Sequence, residues 1–107
     1  MRSKPVVTRH QADDDIDLAF EHYLLEGGSE LAAAFVDAYE SATSHLSRFP
    51  ESGSLRLGHT LDIDDLRQWP LRRFPYVILY FNLEHSVEIW RVLHGRVDIP
   101  VWLQGVE

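Results

Sequence analysis

Five arginines, Arg67, Arg72, Arg73, Arg91 and Arg96, fall between Leu66 and Arg96, with His94 between the last two. A guanidinium is a planar fork of donors that stays charged at any physiological pH, so it suits a carboxylate or a phosphate. His94 is the one residue of this stretch that could support proton transfer, close in sequence to Arg91 and Arg96. The same histidine, at a strand end before Gly95, can equally bond the neighbouring backbone. Arg72-Arg73 flanks a turn and reads as a solvated pair or as a contact for an acidic partner. Trp69, Trp90 and Trp102 suit core and edge packing, although an indole exposed among arginines is a strong anchor for a partner. His10, His22, His45, His59 and His85 have no metal-ligand spacing and the chain has no cysteine, so no metal and no cofactor are expected.

The stretch that must position these groups is Tyr76–Arg96. Two runs, Tyr76–Leu83 and Ser86–Leu93, are rich in Val, Ile, Tyr, Phe and Trp. The Glu84-His85 break is too short for a crossover, which predicts an antiparallel hairpin. Leu66–Arg72 reads as another strand, with Pro70 placing it at an edge or a bulge. Phe74-Pro75 makes the turn between them. Val6–Arg9, after Pro5, reads as a first strand.

Between the strands lie two helical patterns. Ala12, Ile16, Ala19, Phe20, Tyr23 and Leu24 make one apolar stripe, with Asp13, Asp14 and Asp15 at the positive end of the helix dipole. Gly27-Gly28 ends it. Ser29 caps a second helix striped by Leu31, Phe35, Ala38, Ala42, Leu46 and Phe49 and stopped by Pro50. So short a link folds the two back as an antiparallel hairpin, with Ala32, Ala33, Ala34, Ala38 and Ala42 allowing close approach. Glu51–Asp65 reads as a loop, with a short extended piece at Ser54–Leu57 and a turn at Asp62–Asp65. After Arg96, either Asp98 caps a short helical turn through Pro100, Val101, Trp102 and Leu103, or the tail lies on the sheet with Trp102 as anchor. The order predicts one α+β domain over residues 1–107, an antiparallel sheet with the helical hairpin on one face.

The chain has 107 residues and a net charge of −7. Gln11–Ser47 holds nine carboxylates and no Lys or Arg, which leaves the arginines as a locally basic half. An acidic balance argues against a general nucleic-acid binder. No run approaches the ~20 apolar residues of a membrane span. No apolar stretch follows Met1–Pro5, so no signal peptide is expected, and with no cysteine a reducing cytoplasm is the simplest compartment.

These elements in this order resemble the RelE/ParE toxin superfamily of bacterial type II toxin–antitoxin modules. The resemblance is carried by Ala12, Asp15-Ile16, Tyr23, Leu46, Pro50, Gly53 and Leu66-Arg67. It continues through Phe74-Pro75-Tyr76-Val77-Ile78 and Tyr80, and most specifically through Arg91-Val92-Leu93-His94-Gly95-Arg96, which looks like ParE-type plasmid-stabilisation proteins. It covers the chain from the first strand to about Asp98. It implies a β-α-α-β-β-β fold and a cytoplasmic toxin that binds and inhibits DNA gyrase without catalysis, neutralised by a cognate, ParD-like antitoxin. The antitoxin would lay a helix or strand on the groove between first helix and sheet and on the edge strand. Arg67, Arg72, Arg73, Arg91, Arg96 and Trp102 are the partner-binding candidates. Two alternatives stand beside it. One is a RelE-like, ribosome-dependent mRNA endonuclease using Arg67, Arg91, His94 and Arg96. The other is a degenerate member that only binds. The chain departs from the nuclease pattern: its one lysine is Lys4, and Trp102 stands where a late tyrosine would serve in proton transfer.

Overall fold

A computed structural model describes residues 3–96. Its elements are β1 (Val6–Thr8), α1 (His10–Arg48), α2 (Arg56–Leu61), β2 (Leu66–Pro70), β3 (Tyr76–Asn82) and β4 (Val87–His94). They form a four-stranded sheet in the order β1-β4-β3-β2. The hairpin β3–β4 and the pair β2–β3 are antiparallel, as expected; β1 joins the outer side of β4 in parallel. The reason is the long helical crossover from β1 to the rest of the sheet, the kind of connection that parallel neighbours require. Lys4 Nζ fastens this strand by donating to Asn82 Oδ1 and Leu83 O, each at 2.7 Å. An Arg9–Glu88 ion pair closes its other end.

The two expected helices are the arms of α1, residues 10–27 and 29–48, and the link between them is Gly28 alone. Its φ of 76° and ψ of −170° break the helix, a left-handed φ that glycine adopts without a steric penalty. The first arm starts at His10 rather than Ala12. Tyr23 meets Phe35 across the arms at a centroid distance of 5.4 Å. Ala12, Ala19, Phe35, Ala42 and Leu46 are buried against Ile78, Tyr80, Val87, Ile89 and Val92 on one face of the sheet. Phe20, Leu24 and Phe49, counted on the sequence stripes, are instead exposed. Each lies at the margin of its stripe, and the sheet is only wide enough to cover the middle.

The segment read as a loop holds a helix. Only Ser54 of the Ser54–Leu57 piece is extended, bridging Gln68; α2 begins at Arg56 and ends at Asp62 in the left-handed region, with φ of 58°. Leu57, Leu61 and Ile63 cover the second face of the sheet, over Leu66, Leu79 and Leu93. Both faces of β3 are therefore buried, and Ile78, Leu79 and Tyr80 are each at 0% exposure. A strand covered on both sides reads as a continuous apolar run, as this one does.

Gly58 sets how closely α2 approaches. A Cβ there would stand 2.6 Å from Leu66 O and 2.9 Å from Ile63 O, both backbone atoms that cannot swing aside. Gly58→Ala is expected to destabilise by about 1–3 kcal/mol, although alanine favours helix by about 1 kcal/mol. Urea unfolding measures it; a stabilised variant would mean that α2 stands off the sheet.

Of the two positions that Pro70 allowed, an edge or a bulge, β2 takes the edge, and it stops at Pro70 rather than Arg72. Gln68 exchanges both backbone bonds with Ser54 on the outer side. Residues 66, 68 and 70 therefore turn their backbone groups outward, so the N–H that proline lacks is missing from the open edge and not from the ladder. In the described residues no helix is long and apolar enough to cross a membrane. The terminal turn over Asp98 and Pro100–Leu103, and Trp102 with it, lie outside the described residues.

Candidate partner-binding site

The arginines separate into those built into the fold and those presented on it. Arg91 is built in. The pairing of β3 with β4 slips by one residue between Leu79 and Tyr80, which leaves Trp90 as an extra residue. Such a bulge changes which side of the strand each following residue addresses. β1 ends opposite Ile89, and beyond it the Val92 N–H donates to Asp15 Oδ2 on the first arm of α1, at 2.9 Å. Arg91 donates to the same carboxylate through Nε and Nη2, both at 2.7 Å. The two side chains are 9% and 10% exposed. A guanidinium held in this way ties helix to sheet.

Arg67 is also engaged. Its Nη1 donates to Glu51 O at 3.0 Å and to Gly53 O at 2.8 Å. Tyr80, opposite it in register, donates its phenol to Pro50 O at 2.8 Å and accepts the Gly53 N–H at 2.9 Å. Burial pushes the Tyr80 phenol up, while the Gly53 N–H and the Arg67 charge pull it down by less. Burial, with Tyr23 beside it, raises Tyr76 in the same direction. Both phenols stay protonated at neutral pH, and Tyr80 uses its proton as a donor to Pro50 O. The sequence reading did not single out this role for Tyr80; the signal available was a tyrosine inside an apolar run, since a buried phenol needs a partner.

His94 ends β4 with its Nδ1 accepting the Arg96 N–H at 3.0 Å, and its ring meets Tyr76 edge-on at 5.1 Å. This is the backbone-bonded arrangement. The ring lines a groove of 400 Å³ between the first arm and β4, with Asp15, Leu18, Ala19, His22 and Tyr76. Arg96 is exposed. Arg67, Arg91 and His94 thus have separate partners and do not converge on one point. Among the described residues no group of three or more His, Asp or Glu is placed to hold a metal ion.

Arg72 and Arg73 are exposed in the loop from β2 to β3, where Arg73 adopts a φ of 71° and its guanidinium lies over Phe74 at 5.4 Å. They stand at a groove of 530 Å³ between the second arm of α1 and β2. Ala34, Ala38, Ser41, Ala42 and His45 make its helical wall; Trp69 and Pro70 make the other, with Asp37 at the margin. His45 is stacked on Trp69 at 4.9 Å and 13°. The alanines credited with letting the arms approach are therefore divided: Ala32 is buried, while Ala34 and Ala38 open this groove. Small residues at positions 34, 38 and 41–42 give a shallow wall that accepts an apolar segment, and the two guanidiniums add a charged end.

A helical hairpin across one face of a small mixed sheet, with grooves along the helix, defines an α+β protein. The family described as the ParE toxin of type II toxin-antitoxin system, parDE, matches residues 6–99. The chain is 33% identical over 101 residues to Toxin ParE3 of Caulobacter vibrioides, covering 92% of this chain and 93% of that protein. A solved structure described as the chromosomal ParDE TA system from P. aeruginosa shares the fold, with a TM-score of 0.71 at 20% identity over 86% of this chain and 96% of that one. The chain belongs to the ParE toxin family of type II toxin–antitoxin systems.

Proposed function

We propose that this protein acts in the cytoplasm, as a single toxin domain, by binding and inhibiting DNA gyrase, and that a cognate ParD-like antitoxin neutralises it. The observation that carries the non-catalytic reading is the fate of the arginines. Arg91 is committed to Asp15 and Arg67 to the carbonyls of Glu51 and Gly53. An mRNA endonuclease would need these cations free to hold a phosphate, with a proton donor or acceptor beside them. Supercoiling of relaxed plasmid by purified gyrase, with ATP and magnesium, tests it. Loss of supercoiling, or trapped double-strand breaks, reversed by the antitoxin is the expected result. Undiminished supercoiling, with cleavage of ribosome-bound mRNA in its place, would replace this reading with the nuclease one.

The antitoxin's apolar segment fits the groove between the second arm and β2, where the Arg72 and Arg73 guanidiniums meet its carboxylates. The double variant Arg72→Glu, Arg73→Glu is expected to weaken antitoxin binding tenfold or more in a titration at 150 mM salt, since reversal converts attraction into repulsion. Equal affinity of variant and parent would remove the groove from the antitoxin's footprint.

A further inference from the structure

The last residue of α1 and the loop 49–52 carry a second surface, which adjoins the Arg72–Arg73 groove at His45. It is held from beneath. The buried Tyr80 phenol bonds Pro50 O and the Gly53 N–H, and Arg67 bonds Glu51 O and Gly53 O. His45 Nε2 lies 2.9 Å from Ser52 Oγ. A Cβ on Gly53 would stand 2.5 Å from Tyr80 Oη, so the fit there leaves no slack. What this scaffold holds outward is Phe49, 42% exposed, with the Arg48 guanidinium over its ring at 5.8 Å and the His45 ring against it at 5.2 Å. Among the described residues Arg48 meets no carboxylate. An aromatic ring and an arginine, side by side on a loop whose backbone is held, are groups that dominate protein–protein affinity, because little backbone freedom is lost when they dock.

We propose that Arg48-Phe49 is the contact by which this toxin seizes its target, a protein surface with an apolar pocket for the phenyl ring and a carboxylate at the rim for Arg48. Glu51 is exposed on the same loop, so the complementary surface sets a cation opposite it. The proposal rests on the reading that the chain poisons a protein target. The test uses the full chain as parent, as Arg48→Glu and as Phe49→Ser. Three quantities are measured: the dose that halves supercoiling by purified gyrase, growth arrest on induction in cells, and affinity for the antitoxin. Each variant is expected to need at least tenfold more protein for half-inhibition and to lose growth arrest, with antitoxin affinity within twofold of the parent. Parent and variants inhibiting gyrase alike would overturn this contact and leave the gyrase reading standing. A parent that spares gyrase but arrests growth would overturn the gyrase reading alone; variants that then arrest growth equally would overturn the contact too. A parallel loss of antitoxin affinity would make the loop part of the fold or of the antitoxin's footprint and would also overturn it.

Discussion

Asp15→Ala is expected to lower the free energy of unfolding by about 3–5 kcal/mol. That is a large fraction of the roughly 5–15 kcal/mol that stabilises a domain of this size. The carboxylate accepts three bonds, two from Arg91 and one from the Val92 N–H, and both ionic side chains are about nine-tenths buried. Alanine removes the carboxylate and takes three bonds away from groups that stay buried. Breaking a buried pair costs more than the net worth of the pair, because the pair itself had to be taken out of water. The double variant Asp15→Leu, Arg91→Met separates the two quantities. It replaces both charges by side chains of similar volume and is expected to recover most of the lost stability. Equilibrium unfolding in urea measures each variant. A cost below 1 kcal/mol for Asp15→Ala would mean that water reaches the pair. Because Asp15 lies on the first arm and Arg91 on β4, the same variant is expected to loosen the groove that His94 lines.

Phe35→Ala is expected to cost a comparable amount, about 3–5 kcal/mol. Phe35 is at 0% exposure and joins three parts of the chain. It meets Tyr23 on the other arm at 5.4 Å, Phe74 in the loop after β2 at 5.6 Å and 88°, and Tyr76 on β3 at 5.5 Å and 66°. The edge-to-face geometry adds to the area buried. Deleting the ring leaves a cavity walled by other rings, which are too stiff to collapse into it. Phe35→Leu, which refills part of that volume, is expected to cost less than half as much. If alanine and leucine cost the same, the site relaxes freely and the aromatic contacts carry little of the energy. Since the loop 71–75 also carries Arg72 and Arg73, Phe35→Ala is expected to weaken antitoxin binding along with stability.

The sequence by itself determined the hairpin β3–β4, the two helical arms and their hinge, the restriction of β2 to an edge or a bulge, and the family. Each rests on local rules: alternation and β-branching, apolar spacing of three and four, a glycine pair, a proline that cannot donate to a ladder. The motif Arg91-Val92-Leu93-His94-Gly95-Arg96 marked the right strand. Its residues, however, read as a set of surface groups, because sequence spacing does not say which side chain a helix will cover. Only the tertiary structure decided that Arg91 belongs to Asp15, since that pairing depends on a bulge at Trp90 and on where β1 stops. Only the tertiary structure showed α2. Its six residues contain a glycine and are too short for an apolar period, and the helix exists because the second face of the sheet needs a cover. The continuous apolar run Tyr76–Phe81 was the indirect sign of that cover, since a strand with one wet face alternates. Tyr80 and Arg67 likewise acquired their role from the fold. Neighbours across two strands, they reach a loop whose backbone groups need partners and whose distance from them no local rule reveals.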